Sequence, residues 1–180
     1  MTNALSKITA ALLAVLLLFL FPALQAAQRQ EDIRYLAAYR VMVQFTDAVR
    51  NKGVVTPTMY EDFIRELETT GGGYEVELEH RHKTYHPEYG DPADPATFLN
   101  GFSVVYDSYY TSDILEAMFP TGAGQEGEAY KLQEGDFIAV TALNHNRSPY
   151  DILSEFLYPG ADKANSSLLT YGGMVLNEDY

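Results

Sequence analysis

The chain has 180 residues and a formal net charge of −13, and it contains no cysteine. The negative charge argues against a nucleic-acid partner, whose phosphates it would repel, and the absence of cysteine excludes disulfides, thiol catalysis and cysteine-ligated metals. Once the apolar N-terminus is set aside, about 150 residues remain, which is the usual length of one compact domain with its own core.

An apolar run from residue 8 to residue 27 is the first element of the chain. As a helix it would span roughly 30 Å, about the thickness of the hydrocarbon core of a bilayer. Two interpretations of the run are open. Lys7 before it, Pro22 inside it and the small residues Ala26 and Ala27 at its end are typical of a cleaved signal peptide. The same length and composition are typical of a retained transmembrane helix.

The residues that precede a possible signal-peptidase cleavage site at Ala26 or Ala27 favour the retained helix. Cleavage after Ala26 or Ala27 would place Leu24 or Gln25 where the peptidase prefers a small residue. We therefore predict a short cytoplasmic start over residues 1–7 and a transmembrane helix over residues 8–27, with a signal peptide as the alternative. An N-terminal signal of this kind normally exports the long segment that follows it. The expected location is the cell membrane, with a single span and an extracytoplasmic C-terminal domain, or the exterior if the run is cleaved.

Residues 28–52 are predicted to continue the helix beyond the membrane. Neither glycine nor proline occurs between residues 28 and 51, and apolar side chains recur at helical spacing. Such a face packs either on its own domain or on a partner helix. The predicted contact surface consists of Tyr35, Leu36, Tyr39, Met42 and Val43.

Residues 53–180 are predicted to form an extracytoplasmic α+β domain, a small and mostly antiparallel sheet with short helices. Thr56 and Pro57 are typical of a helix start, and Gly71–Gly73 would end that helix. Alternation of apolar and charged residues from Tyr74 predicts a half-buried strand. The same patterns predict strands at 102–106 and 137–143, and helices at 112–119 and 148–157 that stop at prolines. Residues 168–176 are predicted to form a last strand with a glycine kink or a tight hairpin.

Three histidines in the first strand are the candidate metal ligands. His80, His82 and His86 have equal parity, so their side chains share one face of a strand, and zinc sites use such pairs of histidines. A further ligand could come from Asp91, Asp94 or His145. The sequence itself favours a simpler interpretation, in which the histidines line the solvated edge of a hairpin. We predict no catalytic residues and no cofactor, and we interpret the protein as non-enzymatic.

Several strings resemble uncharacterised single-span membrane proteins that accompany the Flp/Tad-type pilus machinery of Gram-positive anaerobes. The strings are Val49–Phe63, Tyr74–Glu77, Glu79–Tyr85 and Leu169–Glu178. A membrane helix that continues into a small α+β head is also the plan of pilins and pseudopilins. The resemblance implies a structural or assembly role with other subunits of a pilus or secretion apparatus, contacted through the N-terminal helix, and it implies no catalytic residues.

The start of the chain departs from the prepilin pattern. A prepilin usually has a glycine just before its apolar run and a glutamate five residues into the mature chain, and Ala4–Ala10 offers neither. The resemblance therefore implies an accessory or minor pilin-like subunit that stays anchored beside the filament. Two alternatives are open: a secreted metal-binding module or hydrolase that uses the three histidines, and a released surface-adhesion domain.

Overall fold

The computed structural model describes residues 2–91, 93–120, 127–157 and 168–180, apart from the side chains of Thr2, Asn3 and Pro95. Over these ranges a long N-terminal helix is followed by a small antiparallel sheet and shorter helices. The predicted α+β class is therefore confirmed. In chain order the α-helices and β-strands are α1 Thr2–Lys52, β1 Val54–Val55, α2 Pro57–Thr69, β2 Tyr74–Tyr89, β3 Phe98–Tyr110, α3 Thr111–Met118, β4 Tyr130–Lys131, β5 Phe137–Asn144, α4 Pro149–Leu157 and β6 Leu168–Met174.

Helix α1 runs unbroken from Thr2 to Lys52 and passes through Pro22. It ends at Gly53, which has a φ of +67° and donates its N–H to the carbonyl of Val49 at 2.8 Å. Glycine reaches this left-handed conformation at little cost, and it closes the last helical turn. The predicted transmembrane and amphipathic segments are thus one helix, whose apolar part is long enough to cross a membrane and is not buried within the protein.

The main sheet has the strand order β3-β2-β5-β6, and every neighbouring pair is antiparallel. Residues opposite each other in such a pair point to the same face. Leu78 lies opposite Val140 and His80 lies opposite Ile138, and all four are buried. The face of β2 that carries the even-numbered residues therefore looks into the core, and His80 extends the line begun by Leu78.

The C-terminal half of α1 supplies one wall of that core. Ala38, Met42 and Val49 are fully buried, and the ring of Phe45 stacks on that of Phe63 in α2 at 4.2 Å between centroids. These positions recur every three or four residues, so they form one stripe along the helix. The predicted helix α2 is confirmed, and the hydroxyl of Thr56 accepts the N–H of Met59 at 3.2 Å as its N-terminal cap.

Strands β2 and β3 continue past the end of β5 as a two-stranded hairpin, here called the arm, which comprises residues 83–89 and 98–106. The last partner of β2 in β5 is Phe137, opposite Arg81. Beyond it β2 pairs only with β3. Strand β5 also aligns Phe137 with Met174, whose carbonyl accepts a hydrogen bond from Arg50 near the end of α1. The arm therefore lies at the end of the domain away from the apolar half of α1.

The last segment forms the single strand β6, so the predicted alternative of a tight hairpin is wrong. Gly172 lies directly against β5, and a Cβ atom there would come within 2.7 Å of the carbonyl oxygen of Ile138. The glycine thus permits close approach of two strands and does not make a turn. The predicted stop of the preceding helix at Tyr158 and Pro159 lies outside the described residues.

Candidate functional site

Two of the predicted histidines meet an aspartate at the end of the sheet, and we call His80, His82 and Asp136 the His–Asp cluster. Nε2 of His80 lies 2.9 Å from one carboxylate oxygen of Asp136. Nδ1 of His82 lies 2.8 Å from the other oxygen. Strand β2 places both imidazoles on the core-facing side because the two histidines are two positions apart in the strand. Asp136 immediately precedes β5, whose first residue pairs with Arg81 between the two histidines.

A tight turn holds the carboxylate of Asp136 in place. The backbone N–H of Asp136 donates to the carbonyl of Gln133 at 3.1 Å, and the N–H of Gln133 donates back to the Asp136 carboxylate at 2.8 Å. The N–H of Lys83 donates to the other carboxylate oxygen at 3.1 Å. Including its two imidazole contacts, the carboxylate has four hydrogen-bonding partners, three from β2 and one from the turn before β5. It therefore joins the start of β5 to β2.

Aromatic rings enclose the imidazole of His80. Its Nδ1 lies 2.7 Å from the hydroxyl of Tyr130, and its ring stacks on that of Tyr109 at 5.5 Å between centroids. His80 is only 4 % exposed. Burial of the phenol is the main reason that the pKa of Tyr130 rises to about 12. The Tyr130 hydroxyl therefore stays neutral and can either donate to Nδ1 or accept from it.

Burial and hydrogen bonding set the charges of the cluster. Burial lowers the pKa of His80, and this effect outweighs its hydrogen bond to Asp136. For Asp136, burial alone would raise the pKa, but the hydrogen bonds from Gln133, His80, Lys83 and His82 together lower it. Near neutral pH the buried imidazole is accordingly neutral and the carboxylate is ionised. These are the forms in which histidine and aspartate bind metal ions.

The cluster lies on the wall of an open cleft of about 870 Å³. Tyr109 and Tyr130 supply aromatic surface, and Asp113, Glu116 and Glu128 add carboxylates to the lining. Lys131 is the basic residue among the described lining positions. Because carboxylates outnumber amines, the cleft favours a cationic occupant over an anionic one.

The other predicted ligands lie elsewhere. His86 is exposed and sits opposite Ser103 in the arm, six residues beyond His80, and the structure does not bring it to the cluster. Asp91 and Asp94 accept backbone N–H groups in the turn at the tip of the arm. His145 pairs with Glu75 at 2.7 Å near the opposite end of the sheet.

Two sequence-based expectations about the histidines therefore need correction. The three side chains that lie together are His80, His82 and Asp136, so Asp136 takes the place predicted for His86. The favoured interpretation of a solvated hairpin edge is wrong for His80, which is buried. Asp136 was missed because its contact with the two histidines depends on the pairing of β5 with β2. The only local signal was an aspartate in a glycine-containing turn just before a strand.

The predicted contact surface on α1 is divided between the core and the exterior. Met42 is fully buried in the domain and Val43 is half-buried, whereas Tyr35, Leu36 and Tyr39 are exposed. Tyr35 and Leu36 lie between the apolar part of the helix and its first core residue, Ala38, and Tyr39 follows Ala38 as an exposed residue. The ring of Tyr39 also contacts that of Tyr171 edge-on, at 6.1 Å between centroids.

Comparison with protein-family models, with curated proteins and with solved structures finds no match to this chain.

Proposed function

We propose that the protein is a membrane-anchored accessory or minor pilin-like subunit that takes part in assembly of a cell-surface pilus or secretion apparatus. The supporting observation is the division of α1 into two parts with opposite surroundings. Its apolar N-terminal part, residues 8–27, is exposed and is called the bare part here. Its C-terminal part, residues 38–49, contributes to the core of the domain and is called the embedded part. A rigid helix that joins a membrane segment to a folded head is the plan that the sequence resemblance implies.

The bare part of α1 has the length and surface of a membrane span. Its side chains, such as Leu17, Leu18 and Phe19, are 60–70 % exposed, and apolar surface on that scale is unfavourable in water. The helix continues without interruption through Ala26 and Ala27 into the domain, which supports retention of the run. Cleavage at these alanines would leave the embedded part in place, so a secreted head would keep its core.

The exposed residues Tyr35, Leu36 and Tyr39 are proposed to contact other subunits of the apparatus. They lie next to the membrane-spanning part, where helices of neighbouring subunits would run alongside. Two tyrosines and a leucine offer contact area with few conformations to lose on binding. In this arrangement the buried residue Met42 stabilises the head, and the residues one or two turns before it bind the partner.

The first experiment determines whether the apolar run is kept. The full chain is expressed in the organism that encodes it, and the membrane fraction is extracted with alkaline carbonate and analysed by mass spectrometry. An anchored protein resists extraction, retains residues 8–27, and loses its head to protease added outside intact cells. A mature N-terminus at Ala27 or Gln28 with release into the medium would instead support the secreted alternatives.

The second experiment tests the role in assembly. The gene is deleted in the host and surface filaments are counted by electron microscopy, with complementation by the wild type or by a Tyr35→Ala, Leu36→Ala variant. Arg40→Ala, Gln44→Ala is the matched control, because it alters two exposed polar positions of the same helix. We expect the deletion to remove filaments, the control to restore them and the first variant to restore few. Normal filaments in the deletion strain would refute the proposal.

A further inference from the structure

We infer that the His–Asp cluster binds a divalent transition-metal ion of the zinc type through Nε2 of His80, Nδ1 of His82 and the carboxylate of Asp136. The three ligand atoms lie within 4.8 Å of one another. Imidazole nitrogen with carboxylate oxygen is a donor set that zinc and neighbouring divalent metals use. The inference concerns a site in the head and does not depend on the role proposed for the whole protein.

Two of the three ligands, His80 and Asp136, are already oriented by hydrogen bonds from outside the cluster, as metal ligands usually are. Nδ1 of His80 faces the hydroxyl of Tyr130, and the Asp136 carboxylate accepts the backbone N–H groups of Gln133 and Lys83. These hydrogen bonds leave the ligand atoms that face the ion free, so they can remain in place when an ion binds between the three ligands. The site would therefore need only small movements of its side chains on binding.

A shift of protons within the rings frees the ligand atoms. Without an ion, the Nε2–H group of His80 and the Nδ1–H group of His82 each donate a hydrogen bond to the ionised carboxylate of Asp136. Coordination requires those protons to move to the other ring nitrogens. For His80 this nitrogen is Nδ1, and the Tyr130 hydroxyl at 2.7 Å can accept its N–H. For His82, which is partly exposed, water can accept the N–H at Nε2. Both imidazoles then remain neutral and every polar atom keeps a partner.

The charges around the cluster also favour a cation. Arg81 and Lys83 flank His82 in sequence but have odd parity, so they project from the opposite face of β2. Their charged groups lie over the rings of Phe137 and Tyr85, at 4.4 Å and 4.9 Å from the ring centroids. On the side of the cluster, Asp113, Glu116 and Glu128 line the cleft. The ion would thus meet carboxylates on its approach.

The site would be open on one side. The side chains of His80 and Asp136 are 5 % and 2 % exposed, whereas that of His82 is 27 % exposed. An ion held by these three ligands would face the cleft past His82. Three protein ligands leave a coordination position for water or for a small ligand, as in zinc sites that are not purely structural.

The test uses the full chain in detergent micelles, purified without a polyhistidine tag and stripped of metal with a chelator. Zn²⁺ is titrated by calorimetry, and Co²⁺ is titrated with visible absorption as the readout. We expect stoichiometric binding with d–d bands of cobalt. His82→Ala and Asp136→Asn should lose both signals. His86→Ala is the matched control, since it removes an exposed histidine outside the cluster, and it should bind as the wild type does.

Tyr130→Phe examines the orienting contact. Loss of a partner behind a metal-bound histidine typically weakens binding about 10- to 100-fold, so this variant should keep the stoichiometry with a higher Kd. Circular dichroism of each metal-free variant shows whether it folds. X-ray absorption of the cobalt-loaded wild type provides a measurement that needs no variant, because it should show imidazole scattering. Failure of the folded wild type to bind stoichiometrically, equal loss in His86→Ala, or the absence of imidazole around cobalt would overturn the inference.

Discussion

The two halves of α1 are one continuous helix with opposite surroundings. In the N-terminal half, the leucine and phenylalanine side chains are exposed, whereas in the C-terminal half Met42 and Val49 have no exposed surface. The first half is apolar on all sides, as expected of a helix surrounded by lipid. The second half is apolar along one stripe, because the sheet and α2 contact it from one side. The pattern of apolar residues, more than their number, distinguishes the two environments.

In the proposed anchored form, this difference matters because one continuous helix would connect the head to the membrane. The chain has no glycine between the bare half and the embedded residues, and the helix is unbroken there. Movement of the head relative to the span would therefore require bending of the helix itself. Substitutions in the two halves should accordingly have separable effects, on the stability of the head in one case and on membrane insertion in the other.

The largest expected effect is on head stability, from Met42→Ala. This substitution leaves a cavity between α1 and the sheet and should lower the free energy of unfolding of the head by about 2–5 kcal/mol. Denaturant unfolding of the full chain in detergent, followed by near-ultraviolet circular dichroism of the tyrosines, measures it. Leu17→Ala, which truncates a large side chain in the bare half, is the control and should leave the transition unchanged. Equal losses in the two variants would mean that the bare half is part of the folded head.

A comparable effect on the other half is expected from Leu17→Lys. A lysine near the centre of a span costs about 3 kcal/mol of insertion free energy. The variant should therefore shift from the carbonate-resistant membrane fraction to the soluble fraction, while the unfolding transition of its head stays unchanged. Gln28→Lys introduces the same charge just beyond the span and should extract as the wild type does. Full retention of Leu17→Lys in the membrane would argue that the helix spans in another register or is held there by partners.

Local patterns in the sequence account for most elements of the fold. The capped start at Thr56, the alternation from Tyr74 and the uninterrupted helix across residues 28–51 each depend on neighbours in the chain. Their physical causes are hydrogen bonds within one turn and the period of the side chains, so a single sequence can reveal them. Strand ends were less predictable, because β3 extends well beyond the predicted segment 102–106 through its pairing with β2.

The sequence predicts only part of the His–Asp cluster. It also predicts only part of the face of α1 that packs in the core. Equal parity correctly grouped His80 with His82, but parity cannot tell where the neighbouring strand β5 ends, so His86 was grouped with them too. Asp136 lies 54 residues after His82 and meets it only through strand pairing. On α1, Phe45 and Ala38 are core residues that the predicted stripe omitted, because the exact orientation of a helix depends on the surface it packs against.

A smaller effect on the embedded half is expected from Arg50→Ala. Arg50 donates from Nε to the carbonyl of Met174 at 3.0 Å and pairs with Asp47 at 2.8 Å, and its side chain is 22 % exposed. Loss of these partly buried contacts should lower the unfolding free energy by about 1–2 kcal/mol. Arg65→Ala removes an arginine with the same spacing to an aspartate, but its side chain is 70 % exposed. That control should change stability by less than about 0.5 kcal/mol. Similar values for both would show that β6 does not depend on α1 through Arg50.

The smallest expected effect comes from Thr56→Ala at the start of α2. The hydroxyl of Thr56 caps the helix whose Phe63 stacks on Phe45 of α1. Loss of an N-terminal cap typically costs about 1 kcal/mol. Thr58→Ala is the control, because Thr58 is exposed inside the first turn of the same helix and alanine favours helix there. Denaturant midpoints of the two variants measure the difference. If Thr56→Ala also increased carbonate extraction of the protein, the two halves of α1 would be coupled through the stability of the head, and the separation of their roles would have to be abandoned.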